Sequence, residues 1–370
     1  MQTFSSKENN AGSSLRCIDS DVHPSLKESV RSLYPYLSKA WQERFELKAW
    51  RGGSIPLTPR FAHPTNRTIR PDTIPSPGVL GASIPEFMER DYFDRWDIDC
   101  AILNNIEVAT WASALAGPEE SVALCSAAND YFLEHWTQKD DRYKYAICVP
   151  TQSIPDACNE IRRLGKKKGV VSILLPLMNI LMGNNYYYPI YQIAEEYDLP
   201  IMLHVNSADF IYQNGQVVTG GFAHSYMERY IDFHLIGQSQ LCSLVVNGVF
   251  ERFPKLKVLF NEYGFTWVVP LMWRMDKAWQ GLRIDTPWVK KMPSEYIREH
   301  VTFTTQPIDE PTRREDLITM IRMLGPETLM FSTDYPHWDN DPPKIVIQSL
   351  PSDVKDMIFW KNATKFFKLD

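Results

Sequence analysis

Imidazole and carboxyl groups stand at the ends of several predicted strands of this sequence. Asp21 and His23 are two residues apart, so their side chains point to the same side of an extended segment. His204, Glu262 and Asp334 each come at the end of a later apolar run. Neutral imidazoles combined with carboxylates suit Zn²⁺, at roughly 2.0–2.2 Å, and less selectively Mn²⁺ or Fe²⁺. These residue types predict one divalent-metal site, provided that the fold brings them together.

A parallel β/α barrel would bring them together. Short apolar runs alternate along the chain with helix-like stretches such as 121–136, 155–164 and 189–197. The runs are 15–20, 98–103, 145–149, 170–175, 201–205, 258–261, 301–304 and 329–333. Eight such repeats predict an α/β fold, a (β/α)₈ TIM barrel, whose strand ends on one face build the active site.

Two further features bear on the site and on the domain organisation. The run 170–175 offers no lysine or acid that could bridge two ions, which predicts a mononuclear site. Residues 51–80 contain six prolines, a composition that excludes regular structure. We interpret residues 24–95 as a Pro-rich insertion after the first strand, covering the site. The chain thus predicts a flexible tail over 1–14 and a single domain over 15–370.

Composition excludes several classes of protein. Lys and Arg number 39 against 45 Asp and Glu, and they are scattered, which argues against nucleic-acid binding. The sequence contains no run of about 18 apolar residues, so it predicts no membrane-spanning helix. Six cysteines without a CxxC pair are typical of reduced thiols in a cytoplasmic protein. Dinucleotide, nucleotide and serine-hydrolase motifs are absent. We expect a cytoplasmic protein with a small-molecule substrate and neither nucleic-acid nor membrane partners.

The order of these motifs resembles that of the amidohydrolase superfamily. Asp21-x-His23 comes first, then the lone strand-ending His204. The segment Phe-Pro-Lys-Leu at 253–256 follows, leading to Glu-Tyr-Gly-Phe-Thr-Trp at 262–267, and the last is Ser-Thr-Asp-Tyr-Pro-His at 332–337. The pattern is most similar to the branch that contains aminocarboxymuconate semialdehyde decarboxylase and related non-oxidative decarboxylases. The resemblance spans residues 15–370.

The resemblance implies roles for individual residues. Asp21, His23, His204 and Asp334 would hold one divalent metal, with Asp21 in place of the first histidine of the commoner His-x-His. Asp334 would also act as the acid and base beside the metal, and relatives suggest a homodimer. Glu262 departs from the pattern, because the decarboxylases usually carry a catalytic histidine there. This carboxylate could be a further ligand or a general base.

Four other residues are candidates for substrate contacts or for support of the ligands. We expect His337 to hold the carboxylate of Asp334. His224 could contact substrate or lie on a helix surface. Arg51, in the insertion, could clamp a substrate carboxylate bidentately or pair with groups at the surface. Trp267 is expected to pack in the core or at a subunit contact.

The sequence leaves three functions open. The leading hypothesis is non-oxidative decarboxylation of a small carboxylated aromatic or unsaturated compound, with Zn²⁺ as the first choice of metal. The second is metal-dependent hydrolysis of an amide, lactone or similar bond in a small cyclic substrate. The third is a metal-free barrel that serves only for binding.

Overall fold

In the computed structural model of this chain, a barrel of parallel strands surrounds the predicted site. The structure describes residues 16–47, 69–115, 117–205 and 225–369. The strands are β1 Ile18–Val22, β2 Lys27–Val30, β3 Cys100–Leu103, β4 Tyr143–Cys148, β5 Val170–Leu174, β6 Ile201–His204, β7 Val258–Asn261, β8 Val301–Thr304 and β9 Leu329–Met330. All except β2 form one sheet of eight strands in the order β1-β3-β4-β5-β6-β7-β8-β9, and every neighbouring pair is parallel. The predicted (β/α)₈ barrel is confirmed.

The barrel closes between β1 and the chain that follows β9. The Ser20 backbone N–H donates to the Phe331 carbonyl at 3.0 Å, and the His23 N–H donates to the Tyr335 carbonyl at 2.8 Å. Val22 and Tyr335 form a parallel β-bridge in the same region. This seam between 18–23 and 331–335 matters because it carries Asp21, His23 and Asp334.

Helices connect the strands and cover the outside of the barrel. They are α1 Lys39–Leu47, α2 Pro85–Met88, α3 Ile106–Ala114, α4 Pro118–Phe132, α5 Ile154–Leu164, α6 Tyr188–Tyr197, α7 Tyr226–Ile231, α8 Phe233–Val246, α9 Val249–Arg252, α10 Val268–Leu282, α11 Pro293–His300, α12 Arg314–Leu324, α13 Pro343–Ser349 and α14 Asn362–Phe367. Short 3₁₀ or π segments occur at Arg31–Tyr36, Pro71–Thr73, Glu89–Asp94, Leu133–Thr137, Asn185–Tyr187, Pro326–Thr328 and Met357–Lys361. Helix α5 shows the usual signals, with Pro155 in its first turn and Arg162 and Arg163 in its last. Among the described residues, no helix has the length and apolar character needed to cross a membrane.

The predicted elements agree with the observed ones except at two strands. The first strand was expected over 15–20 but runs from Ile18 to Val22, so Asp19 and Asp21 lie inside it. Aspartate is unfavourable in strands, yet here both carboxylates are buried and hydrogen-bonded, which outweighs propensity. The last strand ends at Met330 rather than at 333, because the chain turns to bond β1 along the seam.

The insertion after β1 is only partly described. Residues 48–68, which hold three of the six prolines of the stretch 51–80, lie outside the described residues. The elements β2, α1 and α2 of the insertion lie outside the stretch 51–80, and the described part of that stretch, residues 69–80, has only the 3₁₀ turn Pro71–Thr73 and an isolated bridge at Ile69. Trp41 and Phe45 of α1 stack at 6.0 Å, and Phe45 is fully buried. This part of the insertion therefore packs against the barrel core.

Candidate metal centre at the barrel mouth

The structure brings together the four side chains that the sequence singled out as ligands. Asp21, His23, His204 and Asp334 each offer a donor atom within 4.8 Å of the others, and all four are buried. The His23 Nε2 atom lies 2.7 Å from Asp334 Oδ1 and 3.4 Å from Asp21 Oδ1, while His204 Nε2 lies 3.6 Å from Asp21 Oδ2. Atoms bound to one ion at roughly 2.0–2.2 Å lie about 3.0–3.6 Å apart. The spacing suits a single small cation.

The hydrogen bonding of these atoms also fits a cation. Buried polar atoms nearly always have a hydrogen-bond partner, because an unpaired one costs about 1–3 kcal/mol. Among the described residues, four enclosed atoms make no well-directed hydrogen bond, although they lie close to one another or to Asp334: Asp21 Oδ2, His23 Nε2, His204 Nε2 and Glu262 Oε2. Asp21, His23 and His204 belong to one group of candidate ligands with Asp334, whereas Glu262 is grouped with His23, Asp334 and His337. Two imidazoles and two or three carboxylates form a donor set that a divalent metal accepts.

Two asparagines orient the ligands on β1. The side-chain amides of Asn104, just after β3, and Asn261, the last residue of β7, both donate to Asp21 Oδ1. The His23 Nδ1 atom lies 3.2 Å from the Asn104 carbonyl. A carbonyl only accepts, so Nδ1 carries the proton and Nε2 keeps its lone pair for the centre. The support of Asp21 thus leaves Oδ2 free to coordinate.

Asp334 sits in an unusual backbone conformation at the end of the seam. Its φ of 61° lies in the left-handed region, which non-glycine residues seldom adopt outside functional turns. His337 Nδ1 lies 2.7 Å from Asp334 Oδ1, as the sequence analysis expected. The Gln306 amide lies 3.4 Å from Asp334 Oδ2. Burial, and then repulsion from Glu262 and Asp339, raises the pKa of Asp334 well above its ordinary value.

Glu262 follows β7 in the same left-handed conformation, with a φ of 61°. Its Oε2 lies 3.1 Å from His204 Nε2, so it faces the centre. Donor atoms of His23, Glu262, Asp334 and His337 also lie within 4.8 Å of one another. Burial raises the pKa of Glu262 to about 7, although His204 opposes this shift. The geometry is compatible with both roles left open for this carboxylate.

The centre holds more negative than positive charge. Burial alone would lower the pKa of His204, but Asp21 and then Glu262 raise it to about 10. Burial lowers the pKa of His23 well below its ordinary value, an effect that Asp21 opposes. One imidazole therefore attracts a proton to balance the acids. A divalent cation would displace that proton and neutralise the carboxylates, since metal ligands must be deprotonated.

The remaining predicted residues differ in position. Arg51 and His224 lie outside the described residues. The Trp267 indole N–H donates to the Tyr263 carbonyl at 2.7 Å, and its ring packs edge-on against Phe303. Trp267 therefore supports the turn that carries Glu262, which agrees with the packing role expected of it.

Sequence reasoning missed several polar residues of the mouth. They are Asp19, Asn104, Asn261, Gln306 and Asp339. Asn104, Asn261 and Gln306 come at or just after the ends of strands, the same positional signal that identified the ligands. Asparagine and glutamine were overlooked because they are weak metal ligands and do not titrate.

The chain belongs to the amidohydrolase family, whose profile matches residues 18–369. Membership confirms the resemblance seen in the motifs. It also makes the chain an enzyme rather than a metal-free binding barrel.

Similar proteins define the branch. A gamma-resorcylate decarboxylase of Rhodococcus jostii is 24% identical over 312 residues, covering 77% of this chain and 88% of that protein. A 2-amino-3-carboxymuconate-6-semialdehyde decarboxylase of Dictyostelium discoideum is 22% identical over 289 residues, 75% of each chain. The crystal structure of 5-carboxyvanillate decarboxylase from Novosphingobium aromaticivorans with bound manganese has a TM-score of 0.70 and 19% identity, covering 96% of this chain and 97% of that chain. These relatives confirm the decarboxylase branch, and the structural match shows the shared fold.

Proposed function

We propose that this chain is a divalent-metal-dependent decarboxylase of a small hydroxylated aromatic acid. The observation that carries the proposal is the enclosed set of unpaired donor atoms on Asp21, His23 and His204, converging beside Asp334 at the barrel mouth. Relatives named for gamma-resorcylate and 5-carboxyvanillate decarboxylation support the substrate class. Non-oxidative loss of CO₂ needs no redox cofactor, in keeping with the absence of nucleotide motifs from the sequence.

Asp21, His23, His204 and Asp334 would hold the metal. When bound, the cation supplies a Lewis acid that orients the substrate and stabilises charge developing as the bond to CO₂ breaks. Asp21 and Asp334 neutralise its charge, and the two imidazoles fix its position from β6 and from the end of β1. The Asn104 and Asn261 amides keep Asp21 from turning away.

Asp334 would deliver the proton that replaces the departing carboxyl group. The ring carbon that bears the carboxyl group receives this proton, the carbon–carbon bond then breaks, and CO₂ leaves with the ring's aromaticity restored. Burial raises the pKa of Asp334 in the metal-free chain. With a cation bound, Asp334 would carry the proton only while it passes from solvent to the ring carbon. His337 is hydrogen-bonded to Oδ1 of Asp334, so Oδ2 would be the atom that transfers the proton. Solvent returns the proton to Asp334 after product release.

Glu262 would accept and return protons beside His204. Its pKa of about 7 lies near a working pH, which is the condition for efficient proton transfer. Its position near His204 also favours a second candidate function, in which Glu262 takes a proton from water during hydrolysis of an amide or lactone. The two reactions release different products, so an assay separates them.

Further features of the enzyme belong to the same proposal. The donor set favours Zn²⁺, and the manganese in the similar crystal structure supports Mn²⁺ as the first alternative. A homodimer is supported by exposed apolar side chains on and after α10, namely Trp273, Ile284 and Trp288. We also propose a cytoplasmic location, a single domain over 15–370 with a tail over 1–14, and substrate contacts from Arg51 and His224.

The test uses chain stripped by a chelator and reloaded with Mn²⁺ or Zn²⁺. Each form is incubated with a panel of hydroxybenzoates, with unsubstituted benzoate as the matched control, and with cyclic amides and lactones. We expect CO₂ release from a hydroxybenzoate by the reloaded chain and none by the stripped chain. Ring opening without CO₂ would establish hydrolysis instead. A chain that binds neither metal would contradict the assignment of the ligands.

A further inference from the structure

Asp19 is a fully buried carboxylate that the proposed reaction does not use. It lies on β1, two residues before Asp21, and has no exposed surface. Its neighbours across the seam are Thr333 and, from the insertion, Tyr92. No positively charged side chain contacts it among the described residues. Burying a carboxylate without a cationic partner costs free energy, so its hydrogen bonds must compensate for that cost.

Each oxygen of Asp19 accepts two hydrogen bonds. Oδ1 accepts from the backbone N–H of Asp21 at 3.1 Å and from the backbone N–H of Thr333 at 3.0 Å. Oδ2 accepts from the Tyr92 hydroxyl at 2.6 Å and from the Thr333 hydroxyl. One carboxylate oxygen therefore joins the backbones of the two segments that carry Asp21 and Asp334.

The bonds around Thr333 extend this connection to Asp334. The Thr333 hydroxyl accepts from the Tyr335 N–H at 3.1 Å, and the Asp334 N–H donates to the Asp21 carbonyl at 3.1 Å. Asp334 is thus held on both sides while its own backbone adopts the left-handed conformation. A shift of either segment would change the separation of the two carboxylates.

We propose that Asp19 is a positioning residue, which sets the separation of Asp21 and Asp334 across the barrel seam and thereby the affinity for the divalent cation. The inference rests on the ligand roles proposed above. Asp19 touches neither substrate nor metal and acts through the backbones of Asp21 and Thr333. Partners in the shell outside metal ligands typically contribute about 10–100-fold in metal affinity.

The matched pair Thr333→Val and Thr328→Val tests this proposal. Both threonines are buried, both hydroxyls donate one hydrogen bond, and they lie beyond opposite ends of β9. Thr328 donates to the Gly325 carbonyl, away from the mouth. The Mn²⁺ dissociation constant of the full chain is measured by electron paramagnetic resonance, and its unfolding is measured without metal. The visible spectrum of the Co²⁺-loaded chain reports the coordination geometry.

We expect Thr333→Val to weaken Mn²⁺ binding about 10-fold and to alter the Co²⁺ spectrum. Thr328→Val should change neither, although it too removes a buried hydrogen bond. Asp19→Ala should weaken binding by up to about 100-fold. Asp19→Asn should recover most of the affinity, because its Oδ1 still accepts from both backbone N–H groups and its amide can donate to the two hydroxyls.

Each result decides between this inference and the proposed function. Normal Mn²⁺ affinity in Thr333→Val and Asp19→Ala would overturn the positioning role while leaving the ligand assignment intact. Equal loss of affinity in Thr328→Val and Thr333→Val would also overturn it, because a general loss of stability would then be the cause. A wild-type chain that binds neither Mn²⁺ nor Co²⁺ would overturn the ligand roles and this inference together.

Discussion

Two groups of buried polar side chains in this barrel differ in how completely they are hydrogen-bonded. On the outer side of β4, Asn129 donates to the Cys148 carbonyl and to Glu160, and its Oδ1 accepts from the Cys148 N–H and the Tyr145 hydroxyl. Arg163 then pairs with Glu160 at 2.7 Å. Every polar atom of the Asn129 side chain thus has a protein partner, so this outer network is complete within the chain.

The mouth is different. There Asp21, His23 and Glu262 each leave one enclosed atom without a well-directed hydrogen bond, and His204 leaves both ring nitrogens without one. The cost of these unpaired atoms is tolerated only if another species completes their bonding. The comparison teaches that polar residues which stabilise the fold satisfy one another, whereas residues that bind a ligand remain partly unsatisfied until it arrives.

The largest effect is expected from Asp334→Asn, which tests the mouth. The amide keeps the shape of the side chain but can neither carry the transferred proton nor bind the cation with a full negative charge. Turnover should fall by about 10³-fold, within the range typical of a lost general acid or base. Initial rates of CO₂ release measure the effect, and thermal unfolding checks the fold.

Asp341→Asn is the matched control for that variant. It makes the same change seven residues further along, where the carboxylate accepts from the Ile308 N–H. Its turnover should stay within about threefold of wild type, because Asp341 is not among the candidate metal ligands. Comparable turnover in both variants would remove Asp334 from the mechanism.

Asn129→Ala tests the outer network and should change stability without changing metal binding. The substitution removes a hydrogen-bond partner from the Tyr145 hydroxyl, from the N–H and carbonyl of Cys148, and from one Glu160 oxygen. We expect a loss of about 3 kcal/mol in the free energy of unfolding, measured with urea. Asn159→Ala, on the exposed face of α5, should cost less than about 0.5 kcal/mol. A large change in Mn²⁺ affinity of Asn129→Ala would show that the two regions are not independent.

The smallest effect concerns the pH dependence of stability near the mouth. Burial raises the pKa of Asp341 from 3.8 to about 7. The folded chain therefore keeps this proton at a pH where the unfolded chain has lost it, so the contribution of Asp341 to stability falls as pH rises from about 4 to about 7. In the metal-free chain, Asp341→Asn should be neutral near pH 4 and stabilising at pH 8.

Asp316→Asn provides the opposite case for the same measurement. This exposed aspartate of α12 has its pKa lowered by hydrogen bonding to Arg313. Its replacement should give no gain in stability at pH 8. If Asp341→Asn also gave no gain in stability at pH 8, the Asp341 carboxylate of the wild-type chain would be well solvated. Water would then reach this part of the mouth more easily than the structure indicates.

Much of this molecule could be predicted from local pattern. Six of the eight predicted strands lie within two residues of the observed ones, because buried parallel strands have continuous apolar runs that are easily recognised. The bounds of β1 were wrong, since strand propensity treats Asp19 and Asp21 as terminators. Their burial depends on Asn104 and Thr333, residues 83 and 314 positions away from their partners.

The sequence by itself determined the fold class, the family and the four side chains that meet at the mouth. These properties follow from residue type, from spacing and from the order of motifs. Only the tertiary structure decided that Glu262 faces His204, that two asparagines orient Asp21, and that Asp19 joins the two edges of the seam. The physical reason is that hydrogen bonds between distant segments depend on barrel closure, and no local periodicity records which strand edges meet.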